Sequence, residues 1–246
     1  MSRSSCCSAA TGCRRKNRGP AWRVPVTGRW TLALTALWPG AADACRLALL
    51  LALDVSSSVD AYEDSLQRAG LAAALGAPEV RAAMLGHGPV ALAAFEWSGK
   101  WRQDWILRWQ MIETQADLDR AIATIGGSVR GESRYPTALG YALARASQAF
   151  RRAPPCDTRT LDVSGDGESN DGFAPAHVYA TYPFDDIGVN ALVIGRDPGL
   201  VQYFQTEVIR GPFAFVEVAQ DFEDFERAMR RKLERELTPR VVGAAE

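Results

Sequence analysis

Apolar positions recur along this chain with two periods, one of strands and one of helices. Arg46–Asp54 (RLALLLALD) carries seven consecutive apolar residues between an Arg and an Asp, which predicts a strand buried on both faces, as in a parallel sheet. Asp60 predicts a helix N-cap, and Leu66, Ala69, Leu71, Ala73 and Leu75 follow before Gly76. Pro78–Leu85 predicts a short second helix, and Val90–Trp97 (VALAAFEW) another strand. Trp97, Trp101, Trp105 and Trp109 recur every four residues, the spacing of a helical stripe. Gly99 interrupts that stripe, and Trp105, Leu107 and Trp109 alternate, so a strand is expected. Their rings are expected in core or edge packing rather than in carbohydrate stacking.

Thr114 predicts the cap of a helix with Leu118, Ile122 and Ile125 on one face, closed by Gly126-Gly127. A polar loop, Ser128–Tyr135, leads to Pro136 at the first turn of a helix expected to run to about Arg152. Thr160–Ser164 predicts a short strand, Gly165–Gly172 a turn-rich loop, Ile187–Ile194 a buried strand and Pro198–Ile209 a helix. Phe213–Val218 predicts a last strand, and Asp221–Leu237 an amphipathic helix with Phe222, Phe225, Met229 and Leu233 inward. Arg227, Arg230, Arg231, Lys232 and Arg235 on that helix are interleaved with acids, which predicts a solvated, salt-bridged face rather than a membrane patch. Strands alternating with helices predict an α/β fold: a doubly wound, mainly parallel sheet flanked by helices, in one domain over 45–240.

Charge separates the ends of the chain. Residues 1–44 hold seven basic residues and one acid, Asp43, whereas residues 45–246 carry 21 basic against 28 acidic side chains. A body with net charge −7 is a poor binder of phosphate backbones, so no nucleic-acid partner is expected. Arg14-Arg15-Lys16-Asn17-Arg18, the apolar stretch Thr31–Trp38 and the small residues Ala41, Ala42, Asp43 and Ala44 follow the order of a secretory signal peptide, with cleavage after Ala44. The apolar core is too short to span a bilayer, which needs about 20 residues, and no span is expected in the mature chain. Arg14-Arg15 alone does not argue for twin-arginine export, and Ala42-Asp43-Ala44 lacks the Leu expected before a lipidated Cys45. The expected location is periplasmic or secreted. Removal of Cys6, Cys7 and Cys13 with the signal leaves Cys45 and Cys156, an even pair that suits one disulfide in an oxidising compartment. Whether these two meet depends on the fold.

Candidate chemistry gathers at strand ends, where doubly wound sheets bind ligands. The first strand ends in Asp54-Val55-Ser56-Ser57-Ser58, the loop before the Pro136 helix offers Thr137, and the strand at Thr160–Ser164 runs into Gly165-Asp166-Gly167. These are hard oxygen donors without thiolate or imidazole, suited to Mg²⁺, Mn²⁺ or Ca²⁺ rather than zinc or copper. Only His87 and His177 occur, which excludes a histidine-rich zinc site.

Asp-x-Ser-x-Ser at a strand end, a Thr opening a helix and an Asp-Gly after a later strand resemble the von Willebrand factor A (VWA) domain. LALDVSSSVDAYEDSLQRAGL, DVSGDGESNDG and GPFAFVEVAQDFEDFERAMRRKL look like an uncharacterised, exported bacterial branch of that superfamily, and the resemblance spans Cys45–Leu237. It implies a metal-ion-dependent adhesion site (MIDAS) in which Ser56 and Ser58 ligate through hydroxyls, Thr137 directly or through water, and Asp54 and Asp166 largely through bound waters. Mg²⁺ is the implied ion, ahead of Mn²⁺ and Ca²⁺, and the partner is a protein supplying an acidic residue to the metal. The sequence departs from the usual third motif because Ser164-Gly165 intervenes, so Asp162, between Leu161 and Val163, competes with Asp166; Asp166 is favoured. In VWA sheets the first strand lies beside the one carrying the third motif. The resemblance therefore implies a Cys45–Cys156 disulfide at the end away from the metal.

The resemblance implies no enzymatic activity, but two rivals stay open. Gly165–Asp171 (GDGESND) also resembles the metal-binding segment of haloacid-dehalogenase-like phosphatases, with Asp54 as nucleophile. That chemistry needs a second acid where Ser56 stands and a Lys between Thr137 and Gly165, where there is none. The other rival is a metal-free structural envelope protein. A P-loop and a Gly-x-Ser-x-Gly elbow are both absent.

Overall fold

A computed structural model describes residues 44–131 and 134–238. Apart from Ala44, the expected export signal over 1–44 lies outside the described residues. The elements are β1 (Cys45–Asp54), α1 (Ala61–Gly76), α2 (Pro78–Leu85), β2 (Val90–Trp97), β3 (Gln103–Ile112), α3 (Gln115–Gly126), α4 (Leu139–Phe150), β4 (Cys156–Gly165), α5 (Pro175–Thr181), β5 (Ile187–Ile194), α6 (Pro198–Tyr203), β6 (Val216–Ala219) and α7 (Phe225–Leu237). A π-helical turn, Phe204–Val208, extends α6. The sheet order is β3-β2-β1-β4-β5-β6, with β3 antiparallel and the rest parallel. Strand order reverses between β1 and β4, the switch point at which such sheets bind ligands.

Burial on both faces explains why β1 reads as an unbroken apolar run. Leu47, Leu49, Leu51 and Leu53 enter a core with residues of α1, α2, α3 and α7. Ala48, Leu50 and Ala52 enter a second core with α4 and the segments around α5 and α6. Asp60 caps α1 by accepting from the backbone N–H groups of Tyr62 and Glu63, and Glu63 returns a bond to the Asp60 N–H; Thr114 and Asp117 form the same reciprocal cap on α3.

Parallel pairing brings Cys45 opposite Cys156, with Cα atoms 4.4 Å apart and a disulfide between them. β4 is twice the expected length because residues 156–159 continue this pairing, with Thr158 Oγ1 donating to Arg46 O.

Four other expectations are corrected. Pro136 does not open a helix; α4 begins at Leu139, because Ala138 has a non-helical backbone (φ −103°, ψ 62°), held where the N–H groups of Thr137 and Ala138 donate to Asn170 Oδ1 and Ser98 O. β6 starts at Val216 rather than Phe213, since positive φ at Gly211 and Phe213 turns the chain before pairing begins. Residues 175–181, where the sequence pattern predicts no element, form α5, with Pro175 in its first turn. Trp105, Leu107 and Trp109 do not share a face. One extra residue in β3 at Ile106 and another at Arg108-Trp109 shift the register, sending Leu107 into one core while Trp105 and Trp109 pack against the other.

Helix α7 has the expected ion-paired face through Arg227–Asp224, Arg230–Glu79 and Arg231–Glu217. Lys232 is the correction: it is fully buried and bonded to Asp162 and Glu236. No described helix is long and apolar enough to cross a membrane.

Candidate metal centre

β1 ends at Asp54, where the strand gives way to a turn over 55–59. Asp54 is fully buried, and its Oδ1 accepts from the Ser56 N–H at 2.8 Å. That turn aims two hydroxyls at one spot, with Ser56 Oγ 3.1 Å from Ser58 Oγ. From the loop before α4, Thr137 Oγ1 donates to Ser56 Oγ at 3.2 Å. From the loop after β4, Asp166 Oδ1 accepts from Ser58 Oγ at 2.8 Å. All five sequence-derived residues thus meet at one rim of the sheet, in a connected set. Asp162 does not join them: it lies inside β4, on the face covered by α7, 2.7 Å from Lys232 Nζ.

Electrostatics at this rim are poorly balanced without a cation. Burial, and then the charge of Asp166, push the Asp54 carboxyl up to about 7. Burial also raises Asp166, opposed by its bond from Ser58. Asp54 Oδ2 is buried and has no hydrogen-bond partner. A buried, unpartnered carboxylate oxygen beside three hydroxyls and a second acid fits a hard divalent cation. Among the described residues no group of three or more His, Cys, Asp or Glu could hold a metal ion.

Three supporting residues escaped the sequence. Gln67 of α1 is buried, donates to Asp54 O at 2.9 Å and accepts from Ser164 Oγ at 2.9 Å, tying the ends of β1 and β4 together. Its one sequence signal is spacing, since Asp64, Gln67 and Arg68 share a helix face with Leu71, and the structure buries all four. Arg130 Nη2 donates to the carbonyls of Val55, Ser56 and Val59, gripping the turn. Asn170 accepts from the Thr137 N–H and donates its own N–H to Thr137 O, both at 2.9 Å. Gly165 leaves room between Asp54 Oδ2 and the Phe204 ring; a Cβ there would stand 3.4 Å and 3.2 Å from them.

Comparison with solved structures identifies the fold as that of VWA domains. Proximal thread matrix protein 1 from the mussel byssus, in a structure with a zinc-occupied MIDAS motif, matches 80% of this chain and 47% of its own with a TM-score of 0.54 and 16% identity. A von Willebrand factor type A protein from Catenulispora acidiphila matches 78% and 43% (0.57, 16% identity). The pilus adhesin SpaC from Lactobacillus rhamnosus GG matches 78% and 31% (0.57, 12% identity). The chain thus spans less than half the length of each. No functionally curated protein matches it. A family described as "Protein of unknown function (DUF1194)" matches residues 44–241.

Proposed function

This chain belongs to the DUF1194 family and has the VWA fold, and from that premise we propose that it is an exported capture module that holds a divalent cation and engages a protein partner through it. Ser56, Ser58 and Thr137 would hold the ion through their hydroxyls, with Asp54 and Asp166 acting largely through water. The observation that carries this reading is the meeting of these five donors, from three distant segments, around a buried carboxylate oxygen without a partner. Neutral hydroxyls leave a bound cation's charge under-neutralised, so the ion would supply an electrophilic position for a partner's carboxylate. Few direct protein donors suit Mg²⁺, which keeps several waters, ahead of Mn²⁺ or Ca²⁺. The zinc-occupied MIDAS of the byssus protein supports a divalent cation as the kind of ligand.

At the same rim the 98–102 loop presents Trp101, 85% exposed and edge-on to Tyr141, as an apolar anchor for a partner. The disulfide and the signal-like residues 1–44 support export to an oxidising compartment. The reading is non-enzymatic: Asp54, which a phosphatase would need as an accessible nucleophile, is buried. Calorimetric titration with Mg²⁺, Mn²⁺ and Ca²⁺ tests it. Ser58 is exposed, so Ser58→Ala should fold normally while weakening binding at least tenfold. Equal binding by wild type and variant would remove the site, and no binding by the wild type would favour the metal-free structural protein.

A further inference from the structure

A second site lies away from the metal centre. Helix α4 starts beside Thr137 and runs away from it, and its later turns face the edge strand β3 across a cleft of about 650 Å³. Trp105 and Trp109 of β3, with Arg145, Arg151 and Arg152 of α4 and the residues just beyond it, line this cleft. The extra residue at Arg108-Trp109 brings Arg108 to the cleft as well, although neighbouring residues of an unbroken strand would point to opposite faces. Tyr182 closes one side.

Four guanidinium groups meet here, and no acidic side chain lines the cleft. Elsewhere on the molecule arginines find partners: Arg68, Arg81, Arg159 and Arg231 pair with carboxylates, and Arg46 and Arg130 bond backbone carbonyls. Among the described residues none of the cleft's four arginines makes an ion pair. Arg145 lies over the Trp105 ring, 4.9 Å from its centroid, and its buried Nε has no hydrogen-bond partner. Burial, then Arg152 and Arg108, push the Arg145 guanidinium below its ordinary value, against the opposing charge of Asp104 outside the cleft. Like charges brought together around a cavity, with a buried donor left unbonded, are costly unless an anion joins them.

We propose that this cleft binds a ligand carrying two or more phosphate-type anions on a ring-shaped body, such as a phosphorylated sugar, whether a free metabolite or an anionic lipid headgroup. The guanidinium fork matches the oxygen spacing of phosphate and bonds it bidentately. Trp105 and Trp109 add apolar walls against which the carbon skeleton of such a ring packs. The volume is that of a small-molecule site. The cleft is a short pocket within a body of net charge −7, which disfavours a polynucleotide track.

The test uses the full chain in buffer containing a chelator, so that the metal centre plays no part and failure of either proposal leaves the other standing. The probes are fructose 1,6-bisphosphate, neutral fructose, and phosphatidylcholine vesicles with and without phosphatidylinositol 4-phosphate, read by tryptophan fluorescence and calorimetry. Saturable binding of the bisphosphate or of the anionic vesicles, weakening with added salt, with no response to fructose or neutral vesicles, supports the proposal; which of the two probes binds identifies the source. Arg108 and Arg152 are exposed, so R108Q/R152Q should unfold at or above the wild-type temperature, since like-charge repulsion is relieved, while losing at least tenfold in affinity. R227Q on α7 should bind as wild type. Binding that survives R108Q/R152Q, or no binding of either anionic probe at millimolar concentration, overturns it.

Discussion

Lys232 Nζ lies 2.7 Å from Asp162 Oδ1 and 2.6 Å from Glu236 Oε1, and all three side chains are at most 2% exposed. One cation thus serves two buried acids, with Asn190 Nδ2 adding a bond to Glu236 at 2.7 Å. Burial pushes the Asp162 carboxyl up to about 7, with Lys232 opposing and Glu236 reinforcing the shift. Because the folded state then holds a proton that the unfolded state releases near 3.8, stability falls as pH rises from there to about 7. Asp162→Asn keeps the shape without the titration. Its stability relative to wild type should therefore rise across that window, measured by urea unfolding at several pH values; parallel pH profiles would refute the assignment. Lys232→Met leaves the acids without their counter-ion and should cost about 3–5 kcal/mol at neutral pH.

The Cys45–Cys156 bridge joins directly paired residues 111 positions apart in sequence. Closing a loop of that size is worth about 4–5 kcal/mol in the chain-entropy account. Cys45→Ala/Cys156→Ala should retain the circular dichroism of the wild type and lose about that much unfolding free energy. A loss under about 1 kcal/mol would mean that the β1–β4 pairing already confines the unfolded chain.

Asn170 touches no donor atom of the metal centre directly, but it fixes the backbone of Thr137 from both sides. Outer partners of this kind typically carry about 10–100-fold in metal affinity. Asn170→Ala should weaken Mg²⁺ binding within that range. Asn170→Asp, which still accepts from the Thr137 N–H, should restore much of it. Calorimetry on both variants separates positioning from a general loosening of the loop, which would harm them equally.

The sheet was legible because β1, β2 and β5 are buried on both faces and leave unbroken apolar runs at Leu47–Leu53, Val90–Phe95 and Ala191–Ile194. The five oxygen donors were legible because they sit at strand ends with turn residues around them. What escaped depends on partners remote in sequence. Nothing near Lys232 marks it as buried, since its acid, Asp162, lies 70 positions away in a strand flanked by Leu161 and Val163. The extra residues in β3 escaped because alternation assumes a regular pleat, and one added residue moves every later side chain to the other face. Pro136 misled because its suitability for a first helical turn is local, whereas the bonds that delay α4 come from Asn170 and Ser98.

Gly140 stands in the first turn of α4, directly after the loop that carries Thr137. A Cβ at this position would meet the Phe173 backbone oxygen at 2.1 Å and its carbonyl carbon at 2.9 Å. Backbone atoms cannot swing aside as a side-chain tip can, so α4 or the 165–173 loop must shift. The loop leading directly into α4 carries Thr137, and the 165–173 loop carries Asp166. Gly140→Ala should therefore cost about 1–3 kcal/mol of stability and weaken Mg²⁺ binding in the protein that remains folded. Gly76→Ala is the matched control: a Cβ there meets nothing within 4 Å, and φ is not positive, so the change should be neutral or stabilising by up to about 1 kcal/mol. Thermal unfolding with and without Mg²⁺ reads both effects. If Gly140→Ala shows the wild-type midpoint and the same Mg²⁺-induced rise, the close approach of α4 to Phe173 is not what holds the two donor loops together.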